Sequence, residues 1–179
     1  MKKFMNKAEN FVTEMIEGVY LANQDYLKFE PEFNLLYRAD MPLENKVSII
    51  QGSGSGHEPA HIMNVGPGML DGACPGGVFS APPMNYIYEC TKRVASPKGV
   101  LYLVNNYQGD RMAWDMAKEM SEMDGIKVGM VIINDDVAVQ DSLYTVGRRG
   151  VAGNFFVIKA VGAAAEKGAS LEELVALGQ

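Results

Sequence analysis

The sequence predicts an α/β fold: a single domain whose mainly parallel sheet is flanked by helices. Three observations carry this. Residues 47–50, a β-branched run, and residues 99–104 and 127–133 read as buried strands. Segments of helical periodicity alternate with them, the pattern of strand–helix–strand units. The length of 179 residues fits one domain better than two and can enclose a substantial core.

Taken in order, residues ~6–23 place Phe11, Met15, Val19 and Ala22 on one helical stripe, widened by Phe4, Val12 and Ile16. Residues 24–45 hold Pro31 and Pro42 and predict loops with one short extended piece. After the strand at 47–50 comes Gly52-Ser53-Gly54-Ser55-Gly56-His57-Glu58-Pro59, then one or two helical turns over residues 60–65. Residues 66–77 are punctuated by Gly and Pro and read as irregular, with a short strand at 77–80. Pro82 and Pro83 set up a helix from Met84 to Val94. Asp110 stands where the next helix opens, as a favoured N-cap, and Met112, Met116, Ala117 and Met120 supply its apolar face. Gly125 marks its end. A further helix over ~154–167 ends at Gly168, and Ser170-Leu171-Glu172-Glu173 is a capping box opening the last.

The composition is that of a soluble globular chain, 47% hydrophobic and 21% charged. A net charge of -6 argues against nucleic-acid binding, which needs a basic surface. No apolar run approaches the ~20 residues of a membrane span, and polar Asn6, Lys7, Glu9 and Asn10 break any signal-peptide pattern. Cys74 and Cys90 do not make a disulfide framework; with 12 methionines they suit a reducing cytoplasm and read as packing residues.

In parallel sheets ligands bind beyond the carboxyl ends of the strands, and the two chemically rich segments, 52–58 and 105–110, directly follow strands. The alternating glycines read either as a cradle for a polar ligand or as a tight turn. They are not a P-loop, because no Lys-Ser or Lys-Thr follows, nor the dinucleotide fingerprint, because the third glycine is misplaced. His57 closes the loop and can take a proton from a hydroxyl near neutral pH. His61, four residues on, would share a helix face with it, but Pro59 lies between, so a packing role outweighs a zinc pair. Asp110 can cap its helix and also orient a hydroxyl or share proton transfer with His57. Asp135, Asp136 and Asp141 read as solvated acids or as cation ligands. Arg148 and Arg149 read as phosphate or carboxylate partners, helix caps or surface residues.

Several blocks then occur in order: Gly54-Ser55-Gly56-His57-Glu58-Pro59; Gly68-Met69-Leu70-Asp71-Gly72-Ala73-Cys74-Pro75-Gly76; Asn106-Tyr107-Gln108-Gly109-Asp110; and Asp135-Asp136-Val137-Ala138-Val139 through Gly147-Arg148-Arg149-Gly150-Val151. Spread over roughly residues 38 to 166, they resemble the dihydroxyacetone kinase family, most closely the substrate-binding K subunit of its phosphotransferase-dependent form. The resemblance implies that residues 1–179 are an N-terminal substrate domain, shortened relative to the full family chain. Gly54, Ser55, Gly56, His57, Asn105 and Asp110 would hold dihydroxyacetone, with His57 as general base and Asp110 assisting. It further implies no cofactor or metal on this domain: nucleotide and Mg sit on a separate L subunit, and the full-length chain is a cytoplasmic homodimer. Two departures stand out. The family carries, in a second half, a histidine that captures the ketone carbonyl covalently, and this sequence has only His57 and His61. Many members have a lysine where Asn105 stands here. The reading therefore divides between a dihydroxyacetone kinase, a kinase for a related ketose or tetritol, and a ketone-sensing transcriptional coactivator.

Overall fold

The structure is a computed structural model that describes residues 2–138 and 146–179. Its strands are β1 (Leu27–Glu30), β2 (Leu35–Arg38), β3 (Ser48–Gln51), β4 (Gly54–Ser55), β5 (Gly72–Ala73), β6 (Gly76–Val78), β7 (Val100–Asn105) and β8 (Val128–Ile133). Its α-helices are α1 (Phe11–Leu21), α2 (Met84–Val94), α3 (Gln108–Met123), α4 (Asn154–Glu166) and α5 (Leu171–Gly178). Six strands form one sheet in the order β1-β2-β5-β3-β7-β8, and β4 pairs with β6 in a separate two-stranded ribbon. Strands β5, β3, β7 and β8 run parallel, and the β1–β2 hairpin adds an antiparallel edge.

The parallel strands are hydrophobic on both faces because both faces are covered. On one, Ile49, Leu101, Leu103 and Val131 meet Ile16 of α1, Ile158 and Val161 of α4 and Leu174 of α5. On the other, Ile50, Tyr102 and Val104 meet Ile87, Cys90 and Val94 of α2 and Trp114 and Ala117 of α3. The alternation along β7, with Leu101 and Leu103 on one face and Tyr102 and Val104 on the other, is the two-residue period of a strand. The Tyr102 hydroxyl is satisfied within this second face by Thr91 at 2.6 Å and Ser121 at 3.0 Å, and burial pushes its pKa up to about 12. Both cysteines are buried, as packing residues would be. Among the described residues no helix is long and apolar enough to cross a membrane.

Helix α2 begins at Met84 as Pro82 and Pro83 imply, and α5 opens with the capping box: the Glu173 amide donates to Ser170 Oγ and the Ser170 amide to Glu173. Four expectations are corrected. Residues 24–45 hold a two-stranded hairpin, β1 and β2, rather than one extended piece. The Gly/Pro-rich stretch 66–77 contains β5, whose two residues sit between β2 and β3 inside the main sheet. The Asp110 side chain is not the N-cap of α3: Tyr107 holds that position with no side-chain cap, and Asp110 lies in the first turn. The buried face of α3 is Asp110, Trp114, Ala117 and Ser121, whereas Met112, Met116 and Met120 are exposed. That helix carries two stripes of comparable spacing. The one turned inward includes polar residues because the sheet side supplies their partners.

Candidate functional site

The loops that leave β3 and β7 and the turn after β6 enclose a cleft of about 330 Å³ beyond the carboxyl ends of the parallel strands. The polypeptide passes very close to itself there. A Cβ on Gly54 would stand 2.6 Å from the Cα of Phe79, so no side chain fits between the two segments. Gly56, at φ 101°, then turns the chain through a backbone conformation that side chains rarely tolerate. The Phe79 amide donates to the Ser55 carbonyl at 2.9 Å, which ties the two loops together.

This turn delivers His57 to the cleft, half-buried. Its Nδ1 lies 2.7 Å from the Gly54 carbonyl oxygen. A carbonyl only accepts, so Nδ1 carries the hydrogen and the neutral ring keeps its basic lone pair on Nε2. The Phe79 ring meets the imidazole edge to face, with centroids 5.1 Å apart, and holds it from the side.

Asp110 faces the same cleft from the first turn of α3, where the helix dipole favours a negative charge. It is 4% exposed. The Ser53 hydroxyl donates to its Oδ2 at 2.9 Å, while Oδ1 is buried with no hydrogen-bond partner among the described residues. Burial pushes the carboxyl up to about 6, against the pull of the Ser53 hydrogen bond and the nearby His57. A histidine with a free Nε2 and an aspartate whose proton is finely balanced can together hold a substrate hydroxyl and accept its proton.

The remaining sequence candidates divide. Gly54 lines the cleft. Ser55 is buried and its hydroxyl donates to the Gly76 carbonyl at 2.7 Å, pinning β4 to β6 beneath the cleft. Gly56 shapes the turn. Asn105 ends β7 fully buried, with neither amide atom hydrogen-bonded among the described residues, and is not on the cleft wall. Its neighbour Asn106 donates to the carbonyls of Val146 and Arg148 and so anchors the loop that leads to α4.

His61 does not share a helix face with His57: the chain between them is a turn, and His61 is buried with Nδ1 2.9 Å from Gln51 Oε1. Burial, and then His57, pushes its pKa down to about 3, so it packs as a neutral ring. Among the described residues no group of three or more His, Cys, Asp or Glu is placed to hold a metal. Asp135 accepts from the Gly153 amide just before α4 at 2.8 Å, and Asp136 from the Ala138 amide at 3.0 Å; Asp141 lies outside the described residues. The Arg149 guanidinium donates to the Gly147 carbonyl within its own turn.

Sequence reasoning missed Ser53, Phe79, Ala81, Tyr107 and Gly109 on the cleft wall. Ser53 carried a signal, since it sits inside the glycine loop. Phe79 and Ala81 carried none, because only the β4–β6 pairing brings residue 79 to residue 57.

Comparison with known proteins bears on this arrangement. The dihydroxyacetone-binding subunit DhaK of the phosphotransferase-dependent dihydroxyacetone kinase of Lactococcus lactis is 45% identical over 173 residues, 97% of this chain and 52% of the relative. This chain thus spans about half the length of such relatives. The crystal structure of the C. freundii dihydroxyacetone kinase superposes with a TM-score of 0.91 at 34% identity, covering 99% of this chain and 33% of that one. A dihydroxyacetone kinase operon co-activator, Dha-DhaQ, superposes with a TM-score of 0.86 at 36% identity, covering 92% of this chain and 50% of that one. The Dak1 domain family model matches residues 17–179, nearly the whole of the fold and all of the cleft, and the chain belongs to that family.

Proposed function

We propose that this domain binds dihydroxyacetone and supports its phosphorylation to dihydroxyacetone phosphate, as the N-terminal substrate domain, residues 1–179, of a kinase subunit. The observation that carries the reading is the convergence of His57 and Asp110, from two strand-end loops, on one small cleft. A substrate hydroxyl between them gives its proton to His57 Nε2. The oxygen then forms the new bond to phosphorus as the nucleotide's terminal P–O bond breaks, while Asp110 orients the hydroxyl. Gly54 and Gly56 let backbone approach the ligand, Ser55 holds the loop, and Asn105 backs the site from the buried end of β7. The nucleotide and its Mg belong to a separate L subunit. The full-length subunit works as a cytoplasmic homodimer and transfers the phosphoryl group efficiently only with its second half present.

Dihydroxyacetone titrated into the purified chain, followed by NMR of amides and imidazoles, tests this. Saturable shifts at His57 and in the glycine loop, weakened at least about tenfold in both His57→Ala and Asp110→Ala, are expected. No shifts in the unaltered chain sink the binding reading.

A second reading, a ketone-sensing coactivator, is favoured by the likeness to Dha-DhaQ. Full-length protein supplied with a nucleotide-carrying L subunit distinguishes the two: turnover of dihydroxyacetone excludes a pure sensor. Competition among ketoses and tetritols separates the dihydroxyacetone kinase from a kinase for a related substrate.

A further inference from the structure

The loop after β3 is docked onto α3 by two hydrogen bonds one helical turn apart. The Trp114 indole N–H donates to the Gly52 carbonyl at 3.1 Å, and the Ser53 hydroxyl donates to Asp110 Oδ2 at 2.9 Å. Asp110 and Trp114 are four residues apart and share the buried face of α3. The Ser53 backbone is held as well, its carbonyl accepting from the Gly76 amide at 2.9 Å. Ser53 and Asp110 are 3% and 4% exposed, so water has little access to replace the serine. An ionised carboxylate only accepts hydrogen bonds. The hydroxyl must therefore donate.

We infer that Ser53 is a positioning residue of this site: its hydroxyl anchors one oxygen of Asp110 and thereby fixes the orientation of the carboxyl at the cleft. The assignment rests on the reading of His57 and Asp110 as the ligand-handling pair. Without the anchor the carboxyl is free to rotate about its terminal torsion, which is broad for aspartate. It also loses the one hydrogen bond that favours its ionised form against burial. The other titratable groups facing Asp110 are His57 from the glycine turn, Cys74 from the end of β5 and Tyr107 from the start of α3. None of them donates a hydrogen bond to Oδ2 in place of the serine.

The test is carbon-13 NMR of the aspartate carboxyls against pH, in the unaltered chain and in Ser53→Ala, Ser53→Gly and Ser53→Thr. Removing the hydroxyl in either of the first two raises the Asp110 midpoint by about half a pH unit or more, as loss of a hydrogen bond to the charged form requires. Threonine, which keeps the hydroxyl, restores it. The same two variants weaken dihydroxyacetone binding about fivefold, the usual size of one such bond. An unmoved midpoint in either hydroxyl-free variant whose amide spectrum stays native overturns the assignment. So does a threonine midpoint as high as alanine's, because the shift then follows packing and not the hydroxyl. The carboxyl titration is read without ligand. Failure of the unaltered chain to bind dihydroxyacetone therefore counts against the functional reading alone and leaves the midpoints to decide Ser53.

Discussion

Asp110 is an acid held where its charge is costly. Burial raises its carboxyl to about 6, above the ~3.9 of an unfolded aspartate. Between those values the folded chain keeps a proton that the unfolded chain has released. Stability therefore falls as pH rises through that window, and above it the loss is complete, on the order of 2–3 kcal/mol. Asp110→Asn keeps the shape, and its amide oxygen still accepts from Ser53, but it does not ionise. It is expected to unfold at higher urea than the unaltered chain at pH 7.5, by about 2 kcal/mol, and with no advantage below pH ~4. A gap of equal size at both pH values would show that the charge is not its source. The same variant loses the site's acceptor, so stability gained at this position is function lost.

Helix α3 shows where periodicity alone misleads. Its methionines at 112, 116 and 120 repeat at helical spacing, yet they face solvent. The buried stripe runs through Trp114, which is fully enclosed and packs edge to face on Tyr102 at 4.9 Å. Two substitutions separate the stripes. Trp114→Ala empties a core site and removes the indole hydrogen bond to Gly52, at an expected cost of about 3–5 kcal/mol. Met116→Lys changes stability by no more than ~0.5 kcal/mol. Urea unfolding followed by circular dichroism measures both, and comparable losses would mean that the methionine face is covered in solution. The strands β3, β7 and β8 and the helices α2, α4 and α5 were legible because their own residues carry the pattern and the caps. Strand β5 was not. Gly72 and Ala73 have no strand preference, and only backbone pairing with β2 and β3 makes them one.

At the scale of the molecule, a buried charge network joins elements far apart in sequence. Asp71, wholly enclosed before β5, accepts from Arg38 of β2 at 2.9 Å, from Lys46 ahead of β3 and from the Ile49 amide at 2.8 Å. Arg38 also reaches Asp40 at 2.7 Å and Glu166, at the end of α4, at 2.7 Å. Glu166 accepts in turn from the Gly68 amide at 3.1 Å. The network binds the edge hairpin, the centre of the sheet and α4 to one carboxylate. Asp71→Ala leaves two nearly buried cations with much of their compensation gone, and an expected loss of about 3–5 kcal/mol. A urea midpoint equal to that of the unaltered chain would show that the neighbouring acids and water take over the role.

The sequence by itself determined the parallel α/β class, the order of its main strands and helices, and the two strand-end segments that carry His57 and Asp110. Each of those follows from residues that are neighbours along the chain: an aliphatic run, a proline pair, a capping box, a glycine turn. Only the tertiary structure decided which face of α3 is buried, that a two-residue strand completes the sheet, and that Ser53 and Phe79 stand beside the aspartate and the histidine. Ser53 and Asp110 are 57 positions apart. A hydrogen bond over that separation exists only once the sheet has brought the ends of β3 and β7 side by side. It leaves no local pattern, because neither residue needs the other for its own secondary structure.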